Sequence, residues 1–193
     1  MLMCIISKRL NKSGTIPHTN IKIMTKKTYD IIFIAGAPGT GKSSVANILQ
    51  KKFSGPCFEF GWIPEFRKKG ARTIPYQEEE GIAFENLVFV VKNYVKHGFD
   101  NIIITDLEDK RITTLHRQFK NINYILFTLT VTDPKILKSR IMNKTRSSKY
   151  RDWKNAMTIN NRILARPLFP NEIRIDTTKV SLLKVTKIIS NFL

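Results

Sequence analysis

A glycine-rich octet set between an apolar run and a helical pattern limits this chain more than any other feature. Gly36, Ala37, Pro38, Gly39, Thr40, Gly41, Lys42 and Ser43 match the pattern G-x-x-x-x-G-K-[S/T] throughout. Ile31 to Ala35 reads as a buried strand, and Ser44 to Phe53 places Val45, Ile48, Leu49 and Phe53 at helical spacing. The glycines let the backbone fold tightly, with successive N–H groups turned inward towards phosphate oxygens. The helix that opens there adds its positive dipole end. Lys42 can then reach the β- and γ-phosphates, and the Ser43 hydroxyl can ligate Mg²⁺, with Ser44 beside it. The alternative, a plain glycine-rich turn, is disfavoured because motif and context agree. The loop predicts nucleoside triphosphate binding. It does not say what becomes of the phosphate.

Strand and helix patterns alternate after Asp30. Further strands are expected at Cys57 to Phe60, Asn101 to Thr105, Tyr124 to Val131 and Ile173 to Ile175. Helices are expected at Glu78 to His97, Lys110 to Phe119, Lys135 to Asn143, Asp152 to Ile163 and Ser181 to Leu193. The long helix uses Ile82, Phe84, Leu87, Val88, Val91 and Val95 and is stopped by Gly98, while Pro134 opens the helix after strand four. Five buried strands alternating with helices imply an α/β fold with a parallel sheet covered on both faces. Ligands of such folds bind beyond the carboxyl ends of the strands. The glycine loop, Glu59, Asp106 and the segment after strand five are therefore expected to converge.

The chain has 193 residues, which suits one domain of 30–193 with a sizeable core, preceded by a basic, flexible extension of 1–29. That extension holds six Lys or Arg and no acid, and its charge follows rather than precedes its apolar start, unlike a secretory signal. An organelle-targeting peptide, or translation beginning at Met24, are the other readings. The formal net charge is +18, and residues 30–193 hold 27 basic against 15 acidic groups. A body this basic favours anionic ligands: nucleotides, phosphorylated metabolites or nucleic acid. No apolar run approaches the roughly 20 residues needed to span a bilayer. Cys4 and Cys57 lie far apart, which points to a reduced, cytoplasmic setting and excludes a disulfide framework.

Asp106 follows Ile102 to Ile104 as a Walker-B aspartate would, where it can hold Mg²⁺ through water or polarise a hydroxyl; a helix cap is the other reading. Glu108 and Asp109 are close enough to be confused with it. Glu59, at the end of strand two, could take the proton of an acceptor hydroxyl, or be a surface carboxylate. From Lys135 to Lys154 there are eight basic residues and one acid, and 144–151 within that stretch reads as a lid. Arg140 and Arg146, and less so Arg151, would neutralise a transferring phosphoryl group. Trp62 and Arg67 lead a set of aromatic and basic residues suited to an acceptor, or to packing a small lobe. Arg162, Arg166 and Asp176-Thr177-Thr178 could border a nucleotide base.

With these residues in view, the chain resembles the small P-loop kinases, a superfamily that includes shikimate, gluconate, nucleoside and nucleotide kinases. The resemblance covers about residues 30–193, and Gly36 to Ser43 is its one highly specific motif. It implies a three-layer α/β/α fold with sheet order 2-3-1-4-5, ATP and Mg²⁺, and a lid after strand four. Arg140 and Arg146 match the lid arginines in spacing, and Asp176-Thr177-Thr178 looks like the adenine-side loop. Glu59-Phe60-Gly61 and Thr105-Asp106-Leu107 stand where shikimate kinases carry paired aspartates and a glycine triplet, so shikimate is not the expected acceptor.

The leading expectation is ATP- and Mg²⁺-dependent phosphoryl transfer to a small hydroxyl- or phosphate-bearing acceptor. A polynucleotide 5′-end kinase is the second reading, although no nucleic-acid module is present. A non-catalytic nucleotide sensor is the third, disfavoured by the intact Lys42, Ser43 and Asp106. A GTPase switch is disfavoured because Asn143 to Arg146 lacks the aspartate that reads guanine. Oligomeric state and acceptor identity are left open.

Overall fold

The computed structural model describes residues 28–62, 74–145 and 148–193. The expected extension lies outside them apart from Thr28 and Tyr29. So do Arg67, Arg146 and the side chain of Trp62.

Five parallel strands form one sheet in the order β2-β3-β1-β4-β5, as expected. They are β1 Ile31–Gly36, β2 Cys57–Glu59, β3 Ile102–Thr105, β4 Tyr124–Thr130 and β5 Glu172–Asp176. The helices are α1 Lys42–Phe53, α2 Tyr76–Lys96, α3 Asp109–Ile112, α4 Leu115–Gln118, α5 Pro134–Met142, α6 Trp153–Ala165 and α7 Leu182–Ser190. Among the described residues no helix is long and apolar enough to cross a membrane.

The period-two geometry of strands explains the two-sided core. In β1, Ile31, Phe33 and Ala35 join the cluster under α2, α3 and α4, while Ile32 and Ile34 join the one under α1 and α7. The neighbouring strands β3 and β4 sort in the same way, with Ile102 and Leu126 on one side and Ile103 and Phe127 on the other. Each such fully buried side chain contributes roughly 1.5–3 kcal/mol through burial. A third cluster of Val131, Leu137, Ile141 and Ala156 seats α5 against α6.

Local signals end the helices. Gly98, at φ 82°, terminates α2 with a Schellman motif: Phe99 N–H donates to Tyr94 O and Gly98 N–H to Val95 O. The Phe99 and Tyr94 rings then pack edge-on at 5.1 Å. Ile82, expected on the buried stripe of α2, is 38% exposed, and Ala83 faces inward instead. The helix expected over Lys110 to Phe119 is two short ones. Thr113 and Thr114 at the junction bond back to the carbonyls of Lys110 and Arg111, in competition with a continuous ladder. Phe60, expected to end β2, begins a 3-10 turn, with its ring 6.3 Å from that of Phe84. Packing on α2 draws the chain off the sheet edge there.

Candidate active site

Register brings the expected carboxyl ends together. Gly36 pairs with Leu129, Glu59 with Thr105, and Asp176 with Thr130. Gly36 is required by space as well as by conformation: at φ +136°, a Cβ there would meet Leu129 O at 2.3 Å. Gly41, at φ +103°, turns the chain into α1 in the left-handed region. Among the described residues no side chain caps α1, whereas Asp133, Asp152 and Ser181 cap α5, α6 and α7. The first-turn amides of α1 are thus left to face the loop, as an anion site requires. Thr40 braces the loop by donating to Ala37 O at 2.9 Å.

Lys42 is 9% exposed, with its ammonium 3.4 Å from both Ala37 O and Asp106 Oδ1. Asp106 follows β3 in a left-handed conformation at φ 69°, and its carboxylate is half exposed. An aspartate tolerates that backbone, at some cost in strain, and such outliers gather at functional sites. Glu59 lies within electrostatic reach of both. Burial, and then the like charge of Asp106, push its carboxyl above the usual range, while Lys42 works in the opposite direction. Ser43 and Ser44 are exposed at the head of α1.

Three spaces with shared lining residues surround these groups. A cavity of about 510 Å³ is lined by Gly36, Pro38, Lys42 and Asp106 on one side and by Tyr150 and Arg162 on the other. A smaller one of about 190 Å³ lies over Gly39, Lys42, Ser43 and Ser44 and is closed by Arg140 and Ser148. The third, about 220 Å³, runs between Gly41, Val45, Arg140, Thr177 and Val185. The glycine loop thus lies between a phosphate-sized space, a flatter and less polar one, and a wide cleft.

Arg140 stands on α5, before the expected lid. Its guanidinium donates to Thr177 Oγ1 at 3.0 Å, Thr177 O at 2.6 Å and Thr178 O at 3.3 Å. Burial lowers its pKa and Asp176 opposes that shift. Thr177 is buried, with its hydroxyl near both Thr40 O and Thr130 O, so it clasps the glycine loop to β4 and β5. Arg151 is turned onto its own loop, donating to Ser148 O and Tyr150 O.

Arg162, expected near a nucleotide base, lines the wide cleft beside Asp106. Arg166 lines none of the three spaces described above. It forms a paired contact with Glu172 at 2.8 and 3.0 Å and reaches Asp109 at 3.2 Å. Asp109 is thereby held by Arg166, with Arg162 a further 3.9 Å contact, at the border of the cleft that Lys42 and Asp106 also line. Tyr150 and Asn155, which the sequence reading did not single out, also line the cleft, and Asn155 donates to Tyr150 Oη at 3.1 Å. Their only sequence signal was their place at the end of the expected lid and the start of the next helix.

The residues suit ATP and Mg²⁺. The loop backbone, Lys42 and the uncapped α1 fit a phosphate chain. Among the described residues there is no group of three or more His, Cys, Asp or Glu that could hold a metal. Ser43 and Asp106 are the sparse donor set expected when phosphates and water fill most of the Mg²⁺ shell.

No family profile and no curated protein matches the sequence. Solved structures do. A sugar kinase from Janibacter superposes with a TM-score of 0.61 at 13% identity, covering 85% of this chain and 94% of that one. A gluconokinase from Sinorhizobium meliloti gives 0.60 at 14% identity, covering 86% and 93%. Thymidylate kinase from Candida albicans gives 0.54 at 15%, covering 84% and 90%. The chain has the fold of the small P-loop kinases.

Proposed function

We propose that this protein is a small kinase that transfers the γ-phosphoryl group of ATP to a hydroxyl- or phosphate-bearing small molecule. The observation that carries this reading is the pairing of Lys42 with Asp106 between a phosphate-sized space and a wide cleft, with Glu59 within electrostatic reach of both. Kinases that act on sugars, gluconate and thymidylate share the fold.

In this reading Gly36 to Ser44 hold the phosphates through backbone amides, and Lys42 balances the charge that shifts as the bond breaks. The purine would lie in the less polar space along Thr177 and Val185, with Arg140 between it and the phosphates. Mg²⁺, held by Ser43 and through water by Asp106, supplies further charge neutralisation when bound. The acceptor enters the cleft lined by Asp106 and Arg162, where Glu59 or Asp106 orients its hydroxyl and accepts the proton. Trp62, Arg67 and Arg146 belong to this proposal from sequence alone. The basic surface favours a nucleoside, nucleotide or anionic metabolite.

The test is a panel of sugars, sugar acids, nucleosides and nucleotides supplied with ATP and Mg²⁺ and scored for acceptor-dependent ADP release. Asp106→Asn is expected to reduce the turnover so found by about a hundredfold or more. An unchanged rate in that variant would leave Asp106 as a turn residue.

A further inference from the structure

Residues 133–193 carry fourteen Lys or Arg and only four carboxylates, whereas residues 30–132 carry thirteen and eleven. All four carboxylates are engaged close to home. Asp133 and Asp152 cap α5 and α6. Glu172 is sealed against Arg166, and Asp176 accepts from Thr132 and Thr178. The lysines of this region therefore project a field that its own acids do little to offset.

The α5 and α6 lysines also stand where helix stability would not put them. Lys135 and Lys154 occupy first turns, where the helix dipole disfavours cations. Lys138 lies three residues beyond Lys135, so the two share a face. Its ammonium is 4.4 Å from the centre of the Trp153 ring, and that of Lys154 is 6.0 Å from it. Lys135, Lys138, Lys149 and Lys154 are exposed, while Trp153 and Tyr150 are half-buried. Asn155, next after Lys154, lines the wide cleft together with Tyr150. A cationic and aromatic ledge thus leads to the mouth of that cleft.

We propose that this ledge is a docking surface for single-stranded nucleic acid. Its phosphates engage Lys135, Lys138, Lys149 and Lys154, and its bases pack against the exposed parts of the Trp153 and Tyr150 rings. A linear chain of regularly spaced charges and planar rings matches a narrow ledge of lysines set around aromatic rings. A lipid surface fits less well, since membrane-surface helices carry a broad exposed apolar face and Met142 is the one large apolar side chain exposed on these two helices. The proposal concerns binding alone and stands apart from phosphoryl transfer.

Fluorescence anisotropy of a labelled oligothymidylate with the full chain tests it. Four phosphate contacts predict an affinity that falls roughly fiftyfold between ~50 and ~200 mM salt. Replacing Lys135, Lys138 and Lys154 together by Glu is expected to cost at least about tenfold in affinity and to flatten the salt slope by about two. The same change at Lys51, Lys184 and Lys187, on α1 and α7, alters net charge equally and is expected to cost no more than about threefold. Equal losses in the two sets would reduce the effect to bulk charge and overturn the ledge. Lack of salt-dependent binding by the parent chain, or a preference for phosphatidylserine vesicles over the strand, would also overturn it. Lys42→Ala is expected to keep strand binding; its loss would move the strand to the glycine loop. Melting curves verify folding, and the triple Gln variant repeats the test if the Glu variant melts early.

Discussion

Two charged clusters lie beside the same sheet and are built on opposite plans. Arg166, Glu172 and Asp109 form a closed set. Both guanidinium edges are used, the Glu172 side chain is fully buried, Phe169 N–H donates to it at 2.6 Å, and the Phe169 ring lies 3.7 Å from the guanidinium carbon. Burial alone would raise the Glu172 pKa, but hydrogen bonds, foremost those from Arg166, bring it below the usual carboxylate range. Lys42, Asp106 and Glu59 form an open set. The ammonium lies 3.4 Å from the Asp106 carboxylate, which is half exposed, and Glu59 is held above its usual range. A saturated cluster stabilises a fold. A cluster whose carboxylate stays exposed to solvent keeps that group accessible to something that binds.

The comparison is sharpest where one partner is removed. Glu172→Ala leaves Arg166 buried without its main partner and is expected to lower stability by about 3–5 kcal/mol. Chemical denaturation would read this, and a loss below ~1 kcal/mol would show that the closed set is not structural. In the open set, Lys42→Ala is expected to cut turnover by about a hundredfold to a thousandfold while leaving the melting temperature nearly unchanged. Calorimetry with ATP and Mg²⁺ should then register weak or absent binding; full activity would remove the loop from the mechanism.

Titration separates the clusters further. If Glu59 accepts the acceptor's proton, kcat/KM should rise with pH through an apparent pKa above the ordinary carboxylate value, because the working form is ionised. Glu59→Gln should abolish that limb, and an unaltered profile would transfer the role to Asp106. Stability should respond with the opposite assignment of groups. Glu80, bonded to Arg111 and Lys110, and Glu172 both have lowered pKa values in the folded chain. Their stabilisation is full above the unfolded carboxylate pKa and is lost as pH falls through the lower folded values. Acid melts of Glu80→Gln should therefore show a smaller loss between neutral and acid pH than the parent chain.

The glycine loop was legible because its chemistry is local: eight consecutive residues supply backbone, cation and hydroxyl together. Asp106 and Glu59 were legible for a related reason, since a strand end is visible as the last residue of an apolar run. Arg166 was not. Its guanidinium has the same composition as that of Arg162, four residues earlier, yet Arg166 is sealed against the buried Glu172, whereas Arg162 stays largely exposed in the cleft with only a long 3.9 Å contact to Asp109. Arg162 lies within α6, whereas Arg166 is the extended residue that ends it, and that change of backbone direction separates them. The break between α3 and α4 was also hidden, because threonines are tolerated in helices until their hydroxyls find a backbone carbonyl.

By itself the sequence determined the alternation of strands and helices, the parallel sheet and the phosphate loop, since period, turn chemistry and the octet act over a few residues. Tertiary structure alone decided which carboxylates stay open and which are sealed. That choice depends on burial and on partners as far apart in the chain as Asp109 and Arg166, or Lys42 and Asp106, and only the folded sheet brings them within a few ångströms.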